Sequence, residues 1–410
     1  MTTTGPLTNW AGSLAFGARA VHRPRAVDEL QELVRRSDRV RALGSGHSFS
    51  TVGDTKGDLV LLDGLPTRID IAPDARTVTV SAATRYAELA VALQAAGLAL
   101  ENLASLPHIS VAGATATGTH GSGDGLRSLS AAVRSLDVVG ADGELSTVTH
   151  PGAVVHLGGL GIVTALTLDV VPAFDVRQYV HVGLALADYP AHLDEIHAAG
   201  YSVSMFTDWG SGTGRVWVKQ VGDGPTAAVP GARPADGPEH PVPGMPTVNC
   251  TPQLGVPGPW YERLPHFRPE FTPSSGAELQ SEFLLPRAAA SAAVAELRAL
   301  GAQLAPVLHI SEVRTVAADE LWLSPSYGRA SLAFHFTWKP DLAAVAPVLA
   351  TVERALLPLG GRPHWGKLTL SGQAASSYER LPDFLALRRA LDPAGKFGNR
   401  FTDALAGTEG

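Results

Sequence analysis

Two glycine-rich stretches in the first third of the chain carry the residue types that hold a phosphorylated cofactor. The first, Gly44-Ser45-Gly46-His47-Ser48-Phe49, directly follows the strand-like run RVRAL. Glycines let the backbone approach a ligand and aim successive N–H groups at it, and serine hydroxyls add donors. The second runs from Asn102 to Gly123, closes ISVAGATATGTHGSG, and contains no Asp, Glu, Lys or Arg. Such a run suits backbone laid along a pyrophosphate. One loop of this kind is more often a tight turn, but two in the same half, each with a histidine, point to a phosphate-bearing cofactor. Neither completes G-x-G-x-x-G, because the third glycine is missing after Gly44-Ser45-Gly46 and after Gly121-Ser122-Gly123. A Rossmann dinucleotide fold is therefore disfavoured.

A second set of chemical residues lies on strand faces in the last third. In SLAFHFTW, Leu332, Phe334, Phe336 and Trp338 share one face, and Ser331, Ala333, His335 and Thr337 share the other. In VLHISEVRT the same parity sets Glu312 and Arg314 side by side, after Leu308 and Ile310. Such a pair is commonly a solvated salt bridge of little weight. The apolar surroundings here bring a buried, functional pair to even standing. Together with Lys367 these side chains offer hydrogen bonds in both senses, which suits a small, neutral, polyhydroxylated ligand. The run Gly361–Leu368 nearly spells a P-loop, but Leu368 lacks the final hydroxyl, and Pro363 and Trp365 spoil the cradle. H-E-x-x-H and G-x-S-x-G do not occur, so zinc and acyl-transfer chemistry lose their usual signatures. His108 has a simple alternative as a helix- or turn-packed side chain beside Pro107, and His150 and His156 read as structural.

These residues need a scaffold of short strands and tight connections, and the composition supplies one. The 410 residues are 45% hydrophobic and 17% charged, with 43 glycines and 30 prolines. That length predicts two domains. The net charge of −7 argues against nucleic acid. No run approaches about 20 uncharged apolar residues, the measure of a membrane span. The N-terminus lacks a secretory pattern, and the single cysteine, Cys250, forbids an intramolecular disulfide. The expected compartment is cytoplasmic.

Periodicity predicts helices over 27–36 and 86–97, the latter closed by Gly97, and strands at DLVLLD, RIDI and TVTVSA. A hairpin is expected about residues 141–143, and a buried strand over 163–171 ended by Pro172. Composition shifts near residue 173, and 222–260 is a Gly- and Pro-rich irregular stretch. Beyond it come a helix over 286–300, the strands VLHISEVRTV and SLAFHFTW, a helix from Asp341 to Leu357, a strand about HWGKLTL, and a helical tail.

GSGHSF, SLPHISVAGATATGTHGSG, LGGLGIVTALTLDVVP and DPAGKFGNRF resemble the vanillyl-alcohol-oxidase-type FAD family. FTDW, HPVPGMPTVNCT, RLPHFRPEFTPSSGAELQSE, EVRTVAAD, HFTW and RPHWGK resemble its bacterial alditol oxidase branch, whose substrates are polyols such as xylitol and sorbitol. The resemblance covers essentially the whole chain. It implies an α+β fold of the VAO/PCMH type with two domains. Residues 1–173 and 371–410 would form a discontinuous FAD domain, and 174–370 a β-sheet substrate (cap) domain.

By the same resemblance His47 would join the flavin 8α-methyl carbon covalently. Leu43, Gly44, Ser45, Gly46, Ser48, Phe49, Ser105, Ser110, Gly113, Thr117, Gly118, Thr119, His120 and Gly121 would contact FAD. Ile162 and Val163 would hold the adenine side, and His364 would lie near the isoalloxazine. Ala104, small and beside the flavin, would leave dioxygen a route to it. Ser105, Glu312, Arg314, His335, Thr337 and Lys367 match the polyol-binding and catalytic positions. The implied reaction oxidises a terminal primary alcohol to the aldose by hydride transfer to flavin N5, with dioxygen reduced to hydrogen peroxide. Arg314 and Lys367 would hold the C1 hydroxyl, and Glu312 would orient Arg314. FAD would be the cofactor, with no metal. The partners would be a polyol and dioxygen, with no nucleic acid or membrane, and the chain a monomer. The rivals are a sugar-lactone oxidase or dehydrogenase of the same family and a non-catalytic sugar-binding protein on an old flavin fold.

Overall fold

The computed structural model describes residues 7–224, 228–271 and 277–407. Residues 225–227 of the Gly- and Pro-rich stretch and 272–276 of the PEFTPSSGAE block lie outside the described residues, as do 1–6 and 408–410 at the ends of the expected FAD domain.

The first part of the chain builds β1 (Ala20–His22), α1 (Val27–Arg36), β2 (Val40–Leu43), β3 (Asp58–Leu61), β4 (Ile69–Ile71), β5 (Thr77–Ser81), α2 (Tyr86–Ala95), β6 (Leu98–Ala99), α3 (Val111–Ala116), β7 (Val133–Val139), β8 (Leu145–Val148), β9 (Ile162–Asp169) and β10 (Val171–Pro172). In α1 the 3.6-residue period buries Leu30, Leu33 and Val34, while Asp28 and Glu29 at its start and Arg35 and Arg36 at its end oppose the helix dipole. In β5 the alternation buries Val78 and Val80. Helix α2 begins where the Glu88 carboxylate accepts from the Arg85 N–H and gives way at Gly97, whose φ of 72° favours glycine. The strands form a parallel sheet β1-β3-β2 and an antiparallel sheet β4-β5-β9-β7-β8. Strand β9 stops at Asp169, before the expected Pro172, because Val171–Pro172 leaves to pair with β6.

The second part builds β11 (Asp175–Ala185), α4 (Tyr189–His197), β12 (Ser202–Thr207), β13 (Thr213–Val221), β14 (Arg233–Pro234), β15 (Gly258–Pro259), β16 (Leu279–Pro286), α5 (Ala290–Ala299), α6 (Gly301–Leu304), β17 (Leu308–Val316), β18 (Ser331–Trp338), α7 (Leu342–Leu356), β19 (Arg362–Pro363), α8 (Leu381–Leu391) and α9 (Arg400–Leu405). Nine strands make one sheet in the order β14-β11-β13-β12-β17-β18-β16-β19, with β15 on β11. One face of this sheet is core: Leu332, Phe334, Phe336 and Trp338 pack with Val294 and Leu297 of α5 and Val345, Leu349, Val352 and Leu356 of α7. Leu342–Leu359 has the length and composition to cross a membrane. It carries Glu353, whose carboxylate accepts from Thr369 and from the Leu370 and Ser371 amides.

The strand expected about HWGKLTL is a correction. The paired strand is confined to Arg362–Pro363, just before that stretch, because the chain then turns: Lys367 N–H donates to the His364 carbonyl at 3.0 Å, and His364 Nδ1 accepts from the Gly366 N–H at 3.1 Å. On either side of the turn, His364 N and Leu368 N donate to Glu282 O and Gln280 O of β16. The C-terminal segment returns to the first sheet. Lys396 O accepts from Val40 N at 3.0 Å, Phe397 O accepts from Arg41 Nη1 at 2.7 Å, and Asn399 Nδ2 donates to Asp54 O at 2.8 Å.

Candidate active site

One cleft of about 340 Å³ runs from the two glycine-rich loops to the polar face of the nine-stranded sheet. At its first end the loops are laced together: Ser45 N donates to Ser110 Oγ and Ser110 N to Ser45 Oγ, both at 3.3 Å. A Cβ at Gly44 would lie 2.3 Å from Ser110 Oγ, so a larger residue there would displace the hydroxyl that laces the loops. The His47 ring stacks on Trp10, with centroids 4.5 Å apart. Its backbone neighbours are tied to the turn after β19, where Phe49 N donates to Gly366 O at 2.7 Å and Ser50 Oγ to Trp365 O at 2.6 Å. Burial, then the nearby Lys367 charge, push the His47 imidazole down to about 3, so it is neutral and nucleophilic.

At the other end, register does the positioning. Glu312 of β17, His335 of β18 and Glu282 of β16 lie opposite one another across three strands, and Ile310, Thr337 and Gln280 form the next row. Arg314 Nη2 donates to Glu282 Oε1 at 2.5 Å, while its Nε stands 3.7 Å from Glu312 Oε2. Burial alone would raise Glu312, yet Arg314 and His266 hold it well below the usual carboxylate range. Glu282 is held down by Arg314 and His120 in the same way. Lys367 Nζ donates to Gln280 Oε1 and sits 5.5 Å from the centre of the Phe49 ring. Burial lowers it to about 8, with Glu282 pulling the other way. His335 Nε2 and Thr337 Oγ1 are 3.3 Å apart.

The cleft gathers Leu43, Gly44, Ser45, Gly46, His47, Ser48, Ser105, Ser110, Gly113, Thr117, Thr119, His120, Val163 and His364 with Glu312, Arg314, His335, Thr337 and Lys367. It does not gather Phe49, Gly118, Gly121 or Ile162. Phe49 packs in the core beneath Lys367, and Ile162 is fully buried on β9. Gly118 has φ 72° against Pro325, and a Cβ at Gly121 would strike Asn102. Gln280 and Glu282 were missed by sequence reasoning, although the two-residue period of LQSEFLLP puts both on one face of β16. His266 and Lys219 were missed as well. The visible cue was a lone lysine inside the apolar strand RVWVKQV.

The donor set fits FAD. Among the described residues, His47 Nε2, His335 Nδ1, Arg314 Nε and Glu278 Oε2 are buried polar atoms without a hydrogen-bond partner, and all four residues line the cleft. The uncharged loops supply backbone N–H groups for phosphates.

Fold and site together define an FAD flavoprotein. Residues 18–149 match the family described as FAD binding domain, and residues 277–405 match that of D-arabinono-1,4-lactone oxidase. The chain is similar in fold to cholesterol oxidase from B. sterolicum, with a TM-score of 0.75 at 15% identity, covering 97% of this chain and 96% of that one. It is 52% identical over 406 residues to the alditol oxidase of a Streptomyces species (strain IKD472 / FERM P-14339), covering 96% of this chain and 97% of that protein. It is 29% identical to the L-gulono-1,4-lactone dehydrogenase of Mycobacterium tuberculosis, over 98% of this chain and 99% of that one. The chain belongs to the vanillyl-alcohol-oxidase-type FAD family that contains alditol oxidase, and it is an FAD-dependent oxidoreductase.

Proposed function

We propose that the chain oxidises the terminal primary alcohol of alditols such as xylitol and sorbitol to the aldose. The observation that carries this reading is the cluster of Glu312, Arg314, His335, Thr337 and Lys367 in the same cleft as His47, beside the 52% identity to alditol oxidase. Bound FAD supplies the acceptor for the hydride leaving C1, and dioxygen takes the electrons onward to give hydrogen peroxide. Leu43 to Ser48, Ser110, Gly113, Thr117, Thr119, His120, Val163 and His364 hold the cofactor, and His47 is the residue that attaches it. Phe49, Gly118, Gly121 and Ile162 support that shell through packing.

Arg314 and Lys367 hold the C1 hydroxyl and favour its developing negative charge. Lys367, lowered to about 8, is still an ammonium at neutral pH. Glu312 is ionised and only accepts, so it takes a hydrogen bond from the substrate rather than giving one. His335, Thr337 and Ser105 hold the remaining hydroxyls. Ala104, buried in the cleft wall, leaves space for dioxygen. The reading divides the chain into an FAD domain of 1–173 with 371–410 and a cap of 174–370, supported by the hydrogen bonds from 396–399 back to β2 and to Asp54. Its partners are a polyol and dioxygen, and it is a cytoplasmic, monomeric enzyme.

Oxidation of a sugar lactone is the second reading, favoured by the match of residues 277–405. Anaerobic addition of xylitol to the FAD-loaded protein tests the first. Bleaching of the visible flavin absorption supports it, and an unchanged spectrum with polyols but bleaching with an aldonolactone supports the second. A spectrum that neither changes marks a binding protein.

A further inference from the structure

Two buried titratable side chains play no part in the chemistry above. Lys219 of β13 is 2% exposed, and His266, in the segment after β15, is 5% exposed. The Lys219 ammonium donates to the Leu264 carbonyl and lies 3.4 Å from His266 Nδ1. On the other side of the ring, His266 Nε2 is 3.0 Å from Glu312 Oε1. The line Lys219–His266–Glu312 thus runs from the interior of the sheet to the cleft wall, which His266 and Glu312 both form. Phe206 holds the ring edge-on at 5.2 Å, and Ser204 Oγ is 3.4 Å from Nε2.

The protons along this line have one consistent arrangement. Burial lowers Lys219 to about 7, with Glu312 pulling the other way. Below that pH it is an ammonium, which only donates, so His266 Nδ1 accepts. Burial, and then the Lys219 charge, lower His266 to about 4, so the ring is neutral and carries a single N–H. That N–H sits on Nε2 and donates to an ionised Glu312. Reversing the tautomer would set two lone pairs against each other at Glu312 Oε1.

We propose that Lys219 and His266 are positioning residues for Glu312: Lys219 fixes the His266 tautomer, and His266 Nε2–H occupies Oε1, so that Oε2 is left to Arg314 and the substrate hydroxyl. This rests on the reading that Glu312 faces a polyol. Burying an ammonium is costly, and a carbonyl and an imidazole are neutral partners. A fixed tautomer beside the reacting hydroxyl is what the arrangement secures. The charged and titratable groups about Glu312 are Arg314 on its own strand, His335 on β18, His266 with Lys219 of β13 behind it, and Lys367 beyond β19. Glu282 of β16 shares Arg314.

The test is the pH profile of kcat/KM for xylitol in FAD-loaded protein. His266→Leu removes the donor and is expected to lower kcat/KM by about tenfold to a hundredfold, the weight of a hydrogen bond to a charged group. Its acid limb moves to higher pH, because the ionised form of Glu312 loses a partner. His266→Gln, which carries an N–H₂ near the Nε2 position, recovers activity to within about threefold of wild type. Lys219→Met conserves volume and moves the acid limb in the same direction as His266→Leu. Wild-type kcat/KM in His266→Leu, or an unmoved limb in Lys219→Met, overturns the proposal. Equal losses in the Leu and Gln variants with an unmoved limb do so too, since packing alone explains them. Where His266→Leu fails to retain FAD, the Lys219→Met profile decides. Wild-type protein inert toward every polyol would instead remove the functional reading, and this inference with it.

Discussion

Arg314 reaches over its neighbouring strand to Glu282. Its Nη2 lies 2.5 Å from Glu282 Oε1, whereas Glu312, on Arg314's own strand, stands 3.7 Å from Nε. Strand β18 lies between β17 and β16, and its residue opposite Arg314 is Ala333. The small side chain of Ala333 lets the guanidinium cross. The Glu-x-Arg spacing on one strand therefore does not supply the main partner of Arg314. The next strand but one does, and Glu312 keeps its oxygens for His266 and the cleft.

Glu282 should accordingly matter as much as Glu312. Glu282→Gln keeps the shape but loses the charge on Arg314's partner, and kcat/KM for xylitol should fall at least about tenfold with FAD retained. Glu282→Ala should also cost roughly 3–5 kcal/mol of stability, because it leaves a buried guanidinium short of its counter-charge. Steady-state kinetics and thermal melts of the two variants check this. Wild-type rates in Glu282→Gln would show that the Arg314 contact is structural only.

Lys367 is expected to set the alkaline limit of turnover. Its ammonium is present below about 8 and lost as pH rises through that value. Turnover that depends on the cation should therefore fall above about pH 8. Lys367→Arg should carry the fall beyond pH 10, since a guanidinium keeps its proton. Lys367→Met should abolish most turnover at every pH with the flavin still bound. A pH–rate series over the three proteins is the measurement.

The proposed attachment of the flavin to His47 separates two loop residues. Wild type should keep its flavin through acid or SDS denaturation, and His47→Ala should release it while remaining folded. Gly44→Ala should lower FAD content of either kind, because its Cβ would lie 2.3 Å from Ser110 Oγ and displace the hydroxyl that laces the two loops. In-gel flavin fluorescence and the FAD content of the purified proteins read both outcomes.

Much of this was legible in the sequence, because local chemistry fixed it. Glycines at Gly44 and Gly46, an uncharged run to Gly123, and the strict alternation of SLAFHFTW each announce a loop or a face on their own. Arg314 and His335 could be placed on polar faces from parity alone. Their partners could not, because strand order is a long-range property. Nothing in LQSEFLLP says that Glu282 lies in register with His335 and Glu312. HWGKLTL carried strand-like residues, but the bond from Gly366 N–H to His364 Nδ1 makes a turn there, and that turn brings Lys367 to Gln280. The Lys219–His266 line joins segments far apart in the chain, and only the lone lysine in an apolar strand hinted at it.

The most direct measurement is hydrogen peroxide production by the purified, FAD-loaded protein in air, with xylitol and sorbitol set against an aldonolactone. Peroxide from the two polyols, matched by aldose formation, and little from the lactone is the expected result. Peroxide from the lactone alone would contradict it.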